Sequence, residues 1–243
     1  MSRTLTLATA GGDMPLFEIA PEGPALGGVV VFQDAFGVND YLKEVCSSLA
    51  AEGYHAVAPH LYHRADETVL EYGPAEAVTP YIQTLTEEGL LGDLHASLRH
   101  LAASGFMPSR TAVVGFCQGG TVAFAAAVHN ALGAAVTFYG GGIAQGRFGF
   151  PPMAELAPKL QTPWLGLYGD LDLPSDHGAG IPVEEVEALR RAAAAAAVPT
   201  EIVRYPEAGH AFHCHARPEL YHRASAEDGW RRTLGWLAAY LHN

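Results

Sequence analysis

The sequence predicts an α/β fold: one open, mainly parallel sheet with helices on both faces, contained in a single domain spanning residues 1–243. Three observations carry this expectation. Continuous β-branched runs such as Gly28–Gln33 and Thr111–Phe116 read as strands buried on both faces. Segments with apolar residues at helical spacing alternate with those runs. No composition break or internal repeat divides the chain, although 243 residues would accommodate between one and two domains of ~150.

In chain order, the segment to Ala20 alternates Leu5 and Leu7, turns at Gly11-Gly12-Asp13 and predicts a strand pair. Gly28–Gln33 is the first buried strand. From Asn39 to Glu52, Leu42, Val45, Cys46, Leu49 and Ala50 repeat at helical spacing, with Gly53 as the stop. Tyr54–Ala58 is a strand ended by Pro59, and the acidic, Pro-interrupted stretch Arg64–Thr86 reads as a lid or excursion. Gly92-Asp93 opens a helix with Leu94, Leu98 and Leu101 on one face. Thr111–Phe116 is a strand running directly into Cys117, and the Ala-rich segment beyond it is helical. Ala134–Tyr139 and Pro163–Gly169 are strands, Val183–Ala197 a helix and Glu201–Tyr205 the last strand. A closing helix carries Trp230, Leu234, Leu237 and Leu241.

The net charge of −12 leaves no basic stripe for phosphates, and Lys43 and Lys159 are the only lysines, so nucleic acid and anionic membranes are excluded as partners. The most apolar stretch, Thr121–Val128, is far shorter than the ~20 residues a membrane span needs. The beginning of the chain has no apolar block of signal-peptide length. Three cysteines, Cys46, Cys117 and Cys214, argue against a disulfide framework. A cytoplasmic location follows.

The strongest local signal is Gly115-Phe116-Cys117-Gln118-Gly119-Gly120, between a buried strand and a helix. Glycines flanking a nucleophile permit the sharp turn that holds it at the sheet edge, and the helix dipole behind it favours a thiolate. The competing reading is a buried structural cysteine. Gly169-Asp170-Leu171-Asp172 follows one later strand and Gly209-His210 the last, in the order nucleophile, acid, histidine used by α/β-hydrolases. His210 would pair with the thiol proton and the aspartate would orient the ring. Asp172 is favoured over Asp170 and Asp176. A solvated loop histidine is the alternative for His210. His213-Cys214-His215 offers metal-ligand chemistry but no second ligand pair at a known spacing, so pocket or surface histidines are expected there, and no metal.

With these residues in view, the sequence resembles the dienelactone hydrolase family of α/β-hydrolases. The resemblance spans most of the chain: Val31–Asn39 (VFQDAFGVN), Ala58–Tyr62 (APHLY), Gly92-Asp93-Leu94, the cysteine elbow, Phe138-Tyr139-Gly140 and Gly209–Phe212 (GHAF). It implies a Cys117–His210–Asp172 triad and oxyanion donors at the backbone N–H groups of Gln118 and Ala35. It also implies a carboxylate beside the resting thiol, a glutamate in the family and Asp34 here, shorter by roughly 1.5 Å. Thiol activation is therefore one role for Asp34 and helix capping the other. Tyr139, Phe36 and Phe212 are expected to line the substrate pocket, with an ordinary core position as the alternative for Tyr139.

The family's carboxylate-binding arginines have no counterpart by position, since no Arg or Lys occurs between Ala65 and Leu98 and His210 is followed by Ala211-Phe212-His213-Cys214. Arg217, Arg64 and Lys43 are the candidates to replace them. Thiol chemistry favours esters with good leaving groups, because a tetrahedral adduct otherwise expels the thiolate. The expectation is a cofactor-free hydrolase of small activated esters or lactones, acting as a monomer or small homo-oligomer. A non-catalytic ligand or redox sensor on the same fold is the alternative.

Overall fold

The computed structural model describes residues 2–65, 68–174 and 180–241, in which eight strands form one sheet. The strands are β1 (Ser2–Thr9), β2 (Gly12–Ile19), β3 (Gly27–Phe32), β4 (Tyr54–Pro59), β5 (Thr111–Phe116), β6 (Ala134–Phe138), β7 (Trp164–Gly169) and β8 (Thr200–Tyr205). Their spatial order is β1-β2-β4-β3-β5-β6-β7-β8. The expected hairpin β1–β2 joins β4 antiparallel, and every pair from β4 to β8 is parallel. All side chains of β3, β5, β6 and β7 are buried, as a sheet covered on both faces requires.

Among the described residues there are seven α-helices: α1 (Asp40–Ala51), α2 (Ala75–Ile82), α3 (Glu87–Ala103), α4 (Gln118–His129), α5 (Met153–Leu156), α6 (Val183–Ala193) and α7 (Arg223–Tyr240). Helices α3, α4, α5 and α6 pack in succession along one face. Trp164 of β7 meets Phe124 of α4 edge-on there, and its indole N–H donates to Thr137 Oγ1 at 3.0 Å. On the other face Gly229 of α7 lies against Phe138 and Leu167, while Tyr41 of α1 packs on Phe116. The chain leaves β3 for β4 on one side and reaches β5 on the other, so a crevice opens at the carboxyl ends of β3 and β5, where open α/β sheets bind ligands.

Several boundaries differ from expectation, among them the end of α6, which falls at Ala193 and not at Ala197. Helix α3 begins five residues before Gly92, because Thr86 caps the Gly89 N–H and Glu87 and Glu88 favour the helix's positive end. The excursion contains the short helix α2, whose single buried residue is Val78 and whose interior holds Pro80. Strand β6 stops at Phe138, because Tyr139 takes a positive φ of 40°. No helix among the described residues is long and apolar enough to cross a membrane.

Candidate active site

The turn from β5 into α4 places Cys117. A Cβ on Gly115 would collide with the backbone carbonyl of Gly119, and one on Gly119 with the carbonyls of Phe32 and Gln33. The two glycines thus let the head of α4 press against both its own strand and the end of β3. Cys117 takes φ 54° and ψ −117°, a conformation costly for a side-chain-bearing residue. It stands at the N-terminus of a helix whose first N–H groups have no intrahelical acceptor. Four non-glycine residues with positive φ are described, and three of them, Cys117, Tyr139 and Ala211, line the same cleft.

Asp172 and His210 follow β7 and β8 and meet: His210 Nδ1 lies 2.7 Å from Asp172 Oδ2, with the carboxylate almost completely buried. Asp170 is committed elsewhere, receiving two hydrogen bonds of 2.7 Å from Arg204. Asp176 lies outside the described residues. The other edge of His210 faces the Cys117 thiol, to which it hydrogen-bonds.

Burial alone would lower the pKa of His210, but the Cys117 charge, the Asp172 and Cys117 hydrogen bonds and the Asp172 charge raise it to about 10. Burial would likewise raise the Cys117 thiol; the charge and hydrogen bond of His210, with help from Arg147, outweigh it and bring the thiol below its ordinary value. Both shifts favour the thiolate–imidazolium form of the pair.

Asp34 lies on the loop after β3. Its Oδ1 accepts the Phe36 N–H at 2.8 Å, closing a local turn, and burial pushes its pKa up to about 6 against the pull of that bond, Arg217 and His210. Its charge raises the Cys117 pKa, so any assistance to the thiol is by accepting a proton and not by charge.

The cleft holds about 400 Å³ of space counted out to its mouth, open solvent included. Cys117, His210, Asp34, Ala35, Phe36 and Tyr139 line it, and the excursion contributes Gly73, Ala75 and Val78. Phe212 departs from expectation: it is fully buried behind Tyr139 (ring centroids 5.2 Å apart) and against Tyr205, and Ala211 forms the wall in its place. Among the candidate cations, Arg64 is bound to buried Asp93 at 2.8 Å and Lys43 pairs with exposed Asp40. Arg217 does reach the cleft, its guanidinium 5.3 Å from the centre of the Phe36 ring and 5.8 Å from that of Tyr72. Arg147, which acts on the Cys117 charge, carries no signature in the sequence because it belongs to an irregular segment after β6.

His213, Cys214 and His215 do not converge on one point. His213 Nδ1 is 2.8 Å from the Tyr41 hydroxyl, His215 pairs with Glu44, and Cys214 Sγ is 3.6 Å from the Tyr72 hydroxyl on the excursion. Among the described residues no cluster of His, Cys, Asp and Glu has metal-binding geometry.

Comparison with known proteins gives the family. The sequence profile of the dienelactone hydrolase family matches residues 15–241. A Salmonella typhimurium protein provisionally named carboxymethylenebutenolidase is 37% identical over 239 residues, covering 97% of this chain and 86% of that protein. A crystal structure from Klebsiella pneumoniae, provisionally named a dienelactone hydrolase, superposes with a TM-score of 0.86 at 35% identity, covering 99% of each chain. A dienelactone hydrolase-like promiscuous phosphotriesterase from metagenomic libraries superposes with a TM-score of 0.78 at 25% identity, covering 100% of this chain and 99% of that one. The chain belongs to the dienelactone hydrolase family, and it is a hydrolase of that type.

Proposed function

We propose that the protein hydrolyses small activated esters or lactones through an acyl-enzyme on Cys117, without a cofactor. The observation that carries this reading is the Cys117–His210 pair at the head of α4, its imidazole held by buried Asp172 at 2.7 Å. The thiolate adds to the substrate carbonyl carbon, and the oxyanion forms against the N–H groups of Gln118 and Ala35. The adduct collapses with breakage of the acyl C–O bond, and the leaving oxygen takes the proton from His210 Nε2.

The raised pKa of His210 then serves both halves of the reaction. Much of it derives from the Cys117 charge, which disappears when sulfur is acylated. The imidazole accordingly becomes a weaker acid holder and a competent base, able to take a proton from the water that attacks the thioester. Expulsion of the alcohol must compete with return of the thiolate, so enol, aryl and thiol leaving groups are preferred over alkyl alcohols. Arg217 puts positive charge on the cleft wall and favours an anionic group on the substrate. The three unpaired thiols suit a reducing compartment, which we assign as the cytoplasm.

The test is turnover of lactones, aryl esters and thioesters by the wild type and by Cys117→Ala. Turnover that is abolished in Cys117→Ala and by iodoacetamide supports the reading. Equal turnover by both proteins, or a wild-type preference for alkyl esters over p-nitrophenyl acetate, overturns it.

A further inference from the structure

The loop carrying the Ala35 donor is held by two buried side chains. Gln118 and Tyr62 are fully buried and lie between the head of α4 and the loop after β3. Gln118 Nε2 donates to the Asp34 carbonyl at 2.9 Å and to the Tyr62 hydroxyl at 3.0 Å. The Tyr62 hydroxyl in turn donates, with the Ala35 carbonyl at 3.1 Å and Gln118 Oε1 at 3.2 Å as its acceptors. This orientation of the amide is the one that gives the Asp34 carbonyl a donor, and it satisfies both Nε2 protons.

These bonds fix direction as well as position. A trans peptide is planar, with its C=O and the following N–H pointing opposite ways. Anchoring the Asp34 carbonyl on Gln118 therefore aims the Ala35 N–H away from Gln118 and toward the cleft, and among the described residues that N–H reaches no acceptor. The next peptide is pinned at both ends, with the Ala35 carbonyl on Tyr62 and the Phe36 N–H on Asp34 Oδ1 at 2.8 Å. The backbone N–H of Gln118 is itself one of the unbonded donors at the start of α4.

We propose that Gln118 and Tyr62 are positioning residues for the oxyanion hole: Gln118 supplies one donor from its backbone and, through its side chain with Tyr62, aims the other. The close approach that Gly119 permits between α4 and the end of β3 brings the Gln118 carboxamide within reach of the Asp34 carbonyl. The inference rests on the acyl-enzyme reading above, since only a reaction passing through an oxyanion uses the donor.

The test compares Gln118→Glu, Gln118→Met and Tyr62→Phe with the wild type in two reactions of the same sulfur. Hydrolysis of p-nitrophenyl acetate develops an oxyanion, whereas alkylation of Cys117 by iodoacetamide does not. The expected result is a fall of about 10- to 100-fold in kcat for the Gln118 variants and a smaller one for Tyr62→Phe, with KM within about threefold, since one misaimed donor is lost only from the transition state. The rate and pH profile of alkylation stay at wild-type values in Gln118→Met and Tyr62→Phe, which add no charge beside the thiol. Tyr62→Phe keeps ring packing and Gln118→Glu keeps shape, so thermal unfolding identifies any variant that fails to fold. Wild-type kcat in the folded variants, or a parallel loss of alkylation and hydrolysis, overturns the proposal. A wild-type protein that alkylates but turns over no ester instead refutes the acyl-enzyme reading, and this inference falls with it.

Discussion

Replacing Asp172 by Asn tests how much of the resting ion pair depends on one buried carboxylate. Asparagine preserves shape but removes the charge that faces His210 Nδ1 at 2.7 Å. A charge-assisted hydrogen bond of this kind contributes about 1.5–3 kcal/mol, and its loss acts against the imidazolium and, through it, against the thiolate. Taking about 2 kcal/mol, the ion-pair population falls roughly 30-fold and the thiol titrates about 1.5 pH units higher. Iodoacetamide alkylation of Cys117, followed by intact mass over a pH series, reads this directly. The wild type should reach its plateau rate at a lower pH than an ordinary thiol does, because its thiol lies below the ordinary value of 9.0. The variant should be at least tenfold slower at pH 7 and recover toward pH 10. An unchanged rate at pH 7 would show that Asp172 does not support the pair.

Three further outcomes are expected. Asp34→Asn retains the acceptor for the Phe36 N–H but removes a charge that raises the thiol pKa, so the alkylation profile should move to lower pH and any inflection near pH 6 in the hydrolysis profile should vanish; an unchanged pair of profiles would remove Asp34 from the chemistry. Arg217→Met should raise KM for a carboxylate-bearing ester about tenfold while leaving a neutral ester near wild type, and an equal effect on both would refute a charge role. Far from the cleft, burial disfavours the Glu18 carboxylate, but bonds to His100, Arg3 and His55 outweigh it and hold its pKa near 2, below the ordinary 4.5. This depressed value contributes stability above pH 4.5 that is lost as pH falls toward 2. Glu18→Gln should therefore cost about 2 kcal/mol near neutrality and flatten the acid limb of a urea-midpoint against pH plot; an acid limb as steep as the wild type's would contradict the assignment.

The parts of the site written in the sequence are those set by local geometry. Gly115 and Gly119 mark the elbow because no side chain fits there, and Asp172 and His210 are legible because each follows a strand within a few residues. Arg217 was harder to place. Seven residues beyond His210 would lie far away in an extended chain, but turns closed by Cys214 N–H on Ala211 and Arg217 N–H on Cys214 fold it back over Phe36. The same turns redirect Phe212 into the core. Helix α2 has no helical signature in the sequence because one buried residue makes no periodicity, and its Pro80 suggests a break. The carboxamide of Gln118 has no signature either, since side-chain bonds to a distant backbone leave no spacing to read.

The environments of the three cysteines set what a thiol reagent can report. Cys46 is sealed in the core with its pKa pushed far up by burial, and Cys214 is buried beside Tyr72 with its pKa raised to about 11. In the folded protein Cys117 alone should take up label, so the mass increment counts intact sites in any preparation without a substrate. An increment of two or three labels then marks opening of the chain, first at the Tyr72 cover and last at the core.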